Sequence, residues 1–382
     1  MIIAVPAETF AGERRVSLVP ETVQRLTAKQ LQVWLQSGAG AGARFSDDDY
    51  RRAGASVETS VHRLLGEADL IVKVRAPSVA EVERLRRGAT LICLLYPRIN
   101  TAATRSLAAR GVTTIALENL PRTSVAQTMD VLSSQSTAAG YRAVIVAANA
   151  LAKFFPMLMT PAGTIAPARV LVLGAGVAGL QAIATARRLG AAVEAFDVRP
   201  AVQEEVESLG AKFIDGALCA DGATAEGYAR ELDEIALAKV RAAIQRSLSC
   251  ADVCITSALL PNQRAPILIT GEMVQRMRPG SVIVDLAGEQ GGNCELTEAG
   301  RESICHGVTI ISRLNLAGEL PLDASRMYSR NMENVVGHFC HDGILRFDFR
   351  DEITRRCVVT HQDEILAADL RQTLVLQAGG RS

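Results

Sequence analysis

"RVLVLGAGVAGLQAIATARRLGAAVEAFD", residues 169–197, decides how the chain folds. The apolar run "RVLVLG" ends at Gly174, and Gly176 and Gly179 complete a G-x-G-x-x-G spacing where a helical pattern opens. Backbone geometry assigns each glycine a task. Gly174 permits the tight turn, Gly176 lets the chain approach a pyrophosphate, and Gly179 allows the helix to pack close against the strand. Ala175 and Val177 lie between them, at a helix start whose free N–H groups and positive dipole end suit phosphate. A second apolar run, "AVEAF" (192–196), ends at Asp197. A carboxylate there accepts from both ribose hydroxyls and repels a 2′-phosphate, which selects NAD(H) over NADP(H). Val198 adjoins it. Arg199, next along, either accepts a 2′-phosphate or faces solvent or adenine.

Working outward, short apolar runs alternate with helical patterns on both sides. Before the motif they are "IIAV" (2–5), "LQVWLQ" (31–36), "LIVKV" (70–74), "TLICLL" (90–95) and "VTTIAL" (112–117). After it come "AKFI" (211–214), "DVCITS" (252–257), "SVIVDLA" (281–287) and "VTIIS" (308–312). Such alternation predicts parallel sheets covered by helices. A long helical pattern runs from about Ser124 to Phe155, and another, 324–339, returns the chain toward its first domain. The tail "ILRFDF…RCVVTH" (344–361) reads as a short hairpin. The expected fold is α/β, with two Rossmann-like parallel-sheet domains linked by long helices. The second, 136–324, is inserted into the first, 1–135 with 325–382.

Bulk properties narrow the function. The chain has 382 residues, 48% apolar and 21% charged, a globular mix. Lys+Arg and Asp+Glu both number 41, which argues against a nucleic-acid or anionic-membrane partner. Aromatic residues, at 4%, are too few for base-stacking platforms. The start "MIIAVPAE" lacks a basic region, so no secretory leader is expected. The apolar stretch 143–159 is interrupted by Asn149, Lys153 and Pro156 and is too short to span a bilayer. No cysteine pair has CxxC spacing, and free thiols fit a reducing cytoplasm. "HFCH" (338–341) lacks a second ligand group at zinc spacing, so no metal is expected; a helix end with surface histidines accounts for it. The small-residue stretch 216–231 reads either as a lid or as an insertion.

The segment "PRTSVAQTMDVLSSQSTAAGYRAV" (121–144) is dense in polar residues yet has no His, Cys or Lys. It suits a task that needs positioning groups but no proton carrier.

Together, "GAGVAGLQAIATARRLGA", "DVR", "MDVLSSQSTAAGYRAV", "PGSVIVDLAGEQGGN" and "GERRVSLVPETV" resemble the NAD(H)-binding component of proton-translocating nicotinamide nucleotide transhydrogenase, within the alanine dehydrogenase/transhydrogenase superfamily. The resemblance covers nearly the whole chain. It implies that Arg122, Asp130 and Ser133 hold the nicotinamide carboxamide, and that Gln127 touches the nicotinamide ribose and aligns a second nucleotide. Gln127, Arg122 and Asp130 are then the catalytic set, and Ser124, Thr128 and Met129 belong to the same cofactor-binding loop. Gly227 and Tyr228 match a mobile loop that closes over nucleotide, and Leu259 matches an apolar cofactor contact. Further implications are NADP(H) on a partner subunit, a membrane-spanning proton-channel subunit, a homodimer, and a cytoplasmic location held at the inner membrane through partners. Ala317 departs from the usual Pro, and Thr128 from a common Ser.

The rival within the superfamily is an autonomous alanine dehydrogenase. Resemblance places its substrate carboxylate clamp at Arg15 and Lys73, both present. Its proton-handling His and Asp would fall at Tyr96 and Glu289, which weakens that reading and leaves Arg15 and Lys73 salt-bridge or capping roles.

Overall fold

The apolar runs before the glycine motif become six strands: β1 (Ile2–Val5), β2 (Gln32–Gln36), β3 (Ser56–Glu58), β4 (Leu70–Arg75), β5 (Thr90–Leu94) and β6 (Thr113–Ala116). They pair in parallel in the order β3-β2-β1-β4-β5-β6. Every residue of β5 is buried, as a sheet covered on both faces requires. Side chains alternate between faces, so Leu70, Val72 and Val74 join one apolar layer while Ile71 joins the other. The three-residue edge strand β3, Ser-Val-Glu, has no apolar run to announce it. The helix Pro20–Ala28 begins with its proline, where the missing N–H is harmless. These are features of a computed structural model that describes residues 1–215, 233–259 and 264–366.

The chain divides into two compact units, Met1–Gln135 with Gly318–Ser382, and Ser136–Ala317. It crosses between them within the helix Val131–Ala150. That helix starts later than the sequence pattern suggests. Residues Gln127–Met129 form a 3₁₀ turn, and Asp130 sets the true start by accepting the Ser133 N–H at 2.9 Å and its hydroxyl at 2.6 Å. It also ends at Ala150, short of Phe155.

The second unit opens with a hairpin, β7 (Leu158–Thr160) and β8 (Gly163–Ile165), then builds a sheet from β9 (Arg169–Leu173), β10 (Ala192–Phe196), β11 (Lys212–Phe213), β12 (Val253–Thr256), β13 (Val282–Asp285), β14 (Glu302–Cys305) and β15 (Val308–Ile311). The order is β11-β10-β9-β12-β13-β15-β14, parallel except for β14. Strand order reverses between β9 and β12, the switch point where open α/β sheets bind ligands. Gly140 lets the helix Val131–Ala150 touch the helix Val177–Arg188, since a Cβ there would overlap the Ala178 carbonyl oxygen.

The helix Pro321–Phe339 belongs to the first unit, where Ser325 and Ser329 hydroxyls accept the N–H groups of Val16 and Val19. The tail is not a single hairpin. β16 (Cys340–His341) pairs with β17 (Ile344–Leu345), and a helix, Glu352–Cys357, follows, capped by Asp351. β18 (Val358–His361) then adds antiparallel to β6, and β19 (Glu364–Ile365) to β18.

Candidate functional site

In the second unit the glycine turn has the geometry its spacing predicts. Gly174 has φ +95°, a left-handed conformation that side chains resist. A Cβ on Gly179 would overlap the Gly174 carbonyl, so only glycine lets the helix sit this close to the strand. A Cβ on Gly176 would meet nothing within 4 Å, which leaves the turn open on that side. Gly176 caps the helix Val177–Arg188 without a side-chain hydrogen bond, so its leading N–H groups are available to an anion. These features fit a dinucleotide pyrophosphate.

Asp197 follows β10, and its carboxylate is already engaged. One oxygen accepts the Ala175 N–H at 2.7 Å and Arg199 Nη2 at 2.9 Å; the other accepts the Arg199 N–H and Nε, both at 2.9 Å. Arg199 therefore faces neither solvent nor adenine but folds back as a fork onto its neighbour. The hydrogen bond to Asp197 raises the guanidinium pKa above its ordinary value, against partial burial. Val198 packs against the apolar layer on this side of the sheet.

Across the switch point, Ser257 donates its hydroxyl to the Gly174 carbonyl at 3.1 Å, and Leu259 stands exposed two residues on. Two residues that carry no individual role in the sequence reading hold this wall. Asp285, at the end of β13, accepts from the Thr256 and Thr297 hydroxyls and from the N–H groups of Ala287, Asn293 and Cys294. Asn293, fully buried, bonds the backbone of Ala258 and Pro266. The available signal was a buried strand ending in Asp followed by "GGN", where Gly291 and Gly292 both adopt positive φ.

In the first unit, Arg122, Ser124, Gln127 and Thr128 are exposed. The Thr128 carbonyl accepts from Asn331 and Asn334 side chains at 2.8 and 3.0 Å, which anchors the turn to the helix Pro321–Phe339. Met129 does not belong with the exposed set. It is 3% exposed and packs into the apolar core, because the 3₁₀ turn aims it inward. Asp130 and Ser133 are bonded to each other as the helix cap. Gly227 and Tyr228 lie outside the described residues.

Arg15 and Lys73 are buried and paired. Arg15 donates to Glu13 and, through Nη1, to Gln135 Oε1 at 2.7 Å. Lys73 Nζ lies 2.8 Å from Glu81 and 3.7 Å from Glu8. Burial alone would lower the Lys73 pKa, but Glu8 and Glu81 outweigh it and raise it. Burial would likewise raise Glu13, but Arg15 and Arg75 hold it down to about 2. Tyr96 has φ +47°, and its N–H donates to Glu118, whose carboxyl burial pushes up to about 7. Glu289 accepts the Asn315 N–H at 3.1 Å. Among the described residues, no cluster of three His, Cys, Asp or Glu could hold a metal, and His338 pairs with Asp351 at 3.0 Å. Nor, among them, is any helix long and apolar enough to cross a membrane.

A 3-2-1-4-5 parallel order with an open glycine turn and an acid after the second strand defines an α/β protein of the dinucleotide-binding class. The chain belongs to the alanine dehydrogenase/PNT family, whose N-terminal domain matches residues 4–139 and whose C-terminal domain matches 143–368. It is 48% identical over 343 residues to an NAD(P) transhydrogenase subunit alpha chain of Rhodospirillum rubrum, covering 88% of this chain and 89% of that one. An alanine dehydrogenase of Mycolicibacterium smegmatis is 33% identical, covering 76% of this chain and 74% of its own. The crystal structure of transhydrogenase from Sinorhizobium meliloti superposes with a TM-score of 0.84 at 41% identity, covering 97% of this chain and all (100%) of that one.

Proposed function

We propose that this chain is the NAD(H)-binding subunit of a proton-translocating transhydrogenase and exchanges hydride directly between NAD(H) and NADP(H) held by a partner subunit. The observation that carries the reading is the open glycine turn with Asp197, on a chain 48% identical to a transhydrogenase alpha subunit chain. Gly174, Gly176 and Gly179 with the start of the helix Val177–Arg188 hold the pyrophosphate, and Asp197 the adenosine ribose. Arg122, Gln127 and the Asp130–Ser133 pair orient the nicotinamide end. The bound dinucleotides supply the hydride chemistry themselves. No alcohol, amine or carbonyl changes protonation, so the protein's tasks are to orient the rings at about 3–3.5 Å and exclude water. Amide, guanidinium and carboxylate groups suit that work, and a general acid would have no proton to deliver.

A membrane-spanning proton-channel subunit completes the proposed complex and holds the chain at the inner membrane from the cytoplasmic side. Self-association as a homodimer is supported by the exposed apolar side chains Met157, Met159 and Ile165 on and beside the β7–β8 hairpin. The test is a reconstituted mixture with an NADP(H)-binding transhydrogenase subunit. Gln127→Asn is expected to slow single-turnover transfer strongly while NADH affinity holds. Unchanged transfer would remove Gln127 from the mechanism.

A second reading, an alanine dehydrogenase-like enzyme, draws on Arg15 and Lys73, which both survive. Their pairing with Glu13, Gln135, Glu81 and Glu8 disfavours it. It requires NADH oxidation by the purified chain alone with pyruvate and ammonia.

A further inference from the structure

We infer that Asn293 is a positioning residue for the nicotinamide half of the coenzyme site; the inference rests on the reading of this unit as an NAD(H) site. Asn293 is 0% exposed, yet each of its side-chain bonds goes to backbone in one segment. Its Oδ1 accepts the Ala258 N–H at 3.0 Å, and its Nδ2 donates to the carbonyls of Ala258 at 2.8 Å and Pro266 at 2.9 Å. A single amide thus closes both polar groups of Ala258, which lies beyond the end of β12 and has no strand partner for either.

Asn293 is itself fixed. Its N–H donates to Asp285 at 2.8 Å, and its carbonyl accepts from Leu268 and Ile269 at 2.8 and 3.0 Å. The Asp285 carboxylate, 1% exposed, also takes Thr256 and Thr297 hydroxyls and two more N–H groups, so the anchor reaches back into β12 and β13. The segment held this way abuts the glycine turn. Ser257 donates to the Gly174 carbonyl, and Ala258 N lies 3.1 Å from where a Cβ on Gly174 would sit.

The direction of this network gives it a specific role. In a doubly wound sheet the adenosine half lies over the second strand, here β10 with Asp197, and the other half lies across the switch point beside the fourth strand, here β12. Asn293 contacts the β12 side, whereas Asp197 is held by Ala175 and Arg199 on the β10 side. The two halves of the site therefore have separate supports, and loss of Asn293 should affect one half only.

The experiment compares NADH and ADP binding to the full chain and to Asn293→Ala and Asn293→Ser. ADP occupies only the adenosine half and reports whether the unit is folded. We expect NADH to bind about tenfold more weakly in both variants, the equivalent of one or two ordering hydrogen bonds, with ADP affinity within about twofold. Unchanged NADH affinity overturns the inference. A parallel loss of NADH and ADP in both variants also overturns it, by showing a general packing role. Failure of the unsubstituted chain to bind NADH would overturn the coenzyme reading itself and this inference with it.

Discussion

Arg199→Ala should sharpen the preference for NADH over NADPH without weakening NADH, the reverse of what removing a cation near a phosphate-binding turn usually does. The Asp197 carboxylate carries four hydrogen bonds, two of them from the Arg199 guanidinium, one on each oxygen. The fork occupies lone pairs that ribose hydroxyls need and cancels the charge that would repel a 2′-phosphate. The Asp197 and Arg199 side chains are only 6% and 16% exposed, so solvent screens this pair weakly. An uncompensated carboxylate about 5 Å from a phosphate charge costs about 3 kcal/mol at an effective dielectric of 20. Allowing for salt screening, about 2 kcal/mol remains, roughly a thirtyfold change in discrimination. The Ala175 and residue-199 N–H bonds survive the substitution, so Asp197 keeps its orientation while each oxygen gains a free lone pair. The assay is fluorescence titration of the full chain with NADH and NADPH. The expected result is a NADPH:NADH dissociation-constant ratio about thirtyfold higher, with NADH affinity within about threefold of the parent. An unchanged or lower ratio refutes the argument. So does an equal loss for both nucleotides, which would place Arg199 on a region of the coenzyme common to both.

Gly179→Ala drives a methyl group into the Gly174 carbonyl, so the helix must lift from the strand; we expect NADH binding to be lost and the unfolding midpoint to fall. Normal NADH affinity in that variant would mean the turn is not the pyrophosphate site. Two carboxylates give opposite pH signatures. Glu118, raised to about 7, keeps its proton in the folded state, so its contribution is fully favourable below about pH 4.5 and about 3 kcal/mol is lost as pH rises to 7. Glu13, lowered to about 2, contributes about 3 kcal/mol above pH 4.5, lost as pH falls toward 2. Urea midpoints between about pH 3 and 8 should show the upper decline flattened in Glu118→Gln and the acid decline flattened in Glu13→Gln; parallel curves for parent and variants would contradict both assignments.

What could be read from the sequence was local. The glycine turn, its helix and Asp197 lie within one stretch whose apolar period switches from strand to helix, and each residue's conformational demand is visible without its neighbours. β3 and β14 escape a sequence reading because a three-residue edge strand and an antiparallel strand with buried and exposed positions mixed carry too few apolar residues. The tail misleads for another reason: β18 pairs with β6, far earlier in the chain, so the apparent hairpin partners were never neighbours. Within one loop, sequence could not separate exposed Gln127 from buried Met129, since a single 3₁₀ turn decides which faces the core. Asn293 and the Arg199 fork were hidden because their roles consist of hydrogen bonds whose partners a linear reading does not supply.

Where the charges are already committed bears on which chemistry of the family this chain performs. An amino-acid dehydrogenase needs cations free to grip a carboxylate and a group free to move a proton. Here Arg15 and Lys73 are tied to Glu13, Gln135, Glu81 and Glu8 in the interior of the first unit. A substrate carboxylate would have to replace partners of the same charge and gain little by doing so, while leaving buried acids unpaired. Glu118 has the pKa of a useful acid, but its two oxygens accept the N–H groups of Leu95 and Tyr96 at 3.0 and 2.5 Å, so proton exchange with a substrate would break the turn it stabilises. The polar groups that remain exposed on the 121–130 loop, Arg122, Ser124, Gln127 and Thr128, have no proton to give or take near neutral pH. They can bind and orient, and hydride exchange between two dinucleotides asks no more of a protein.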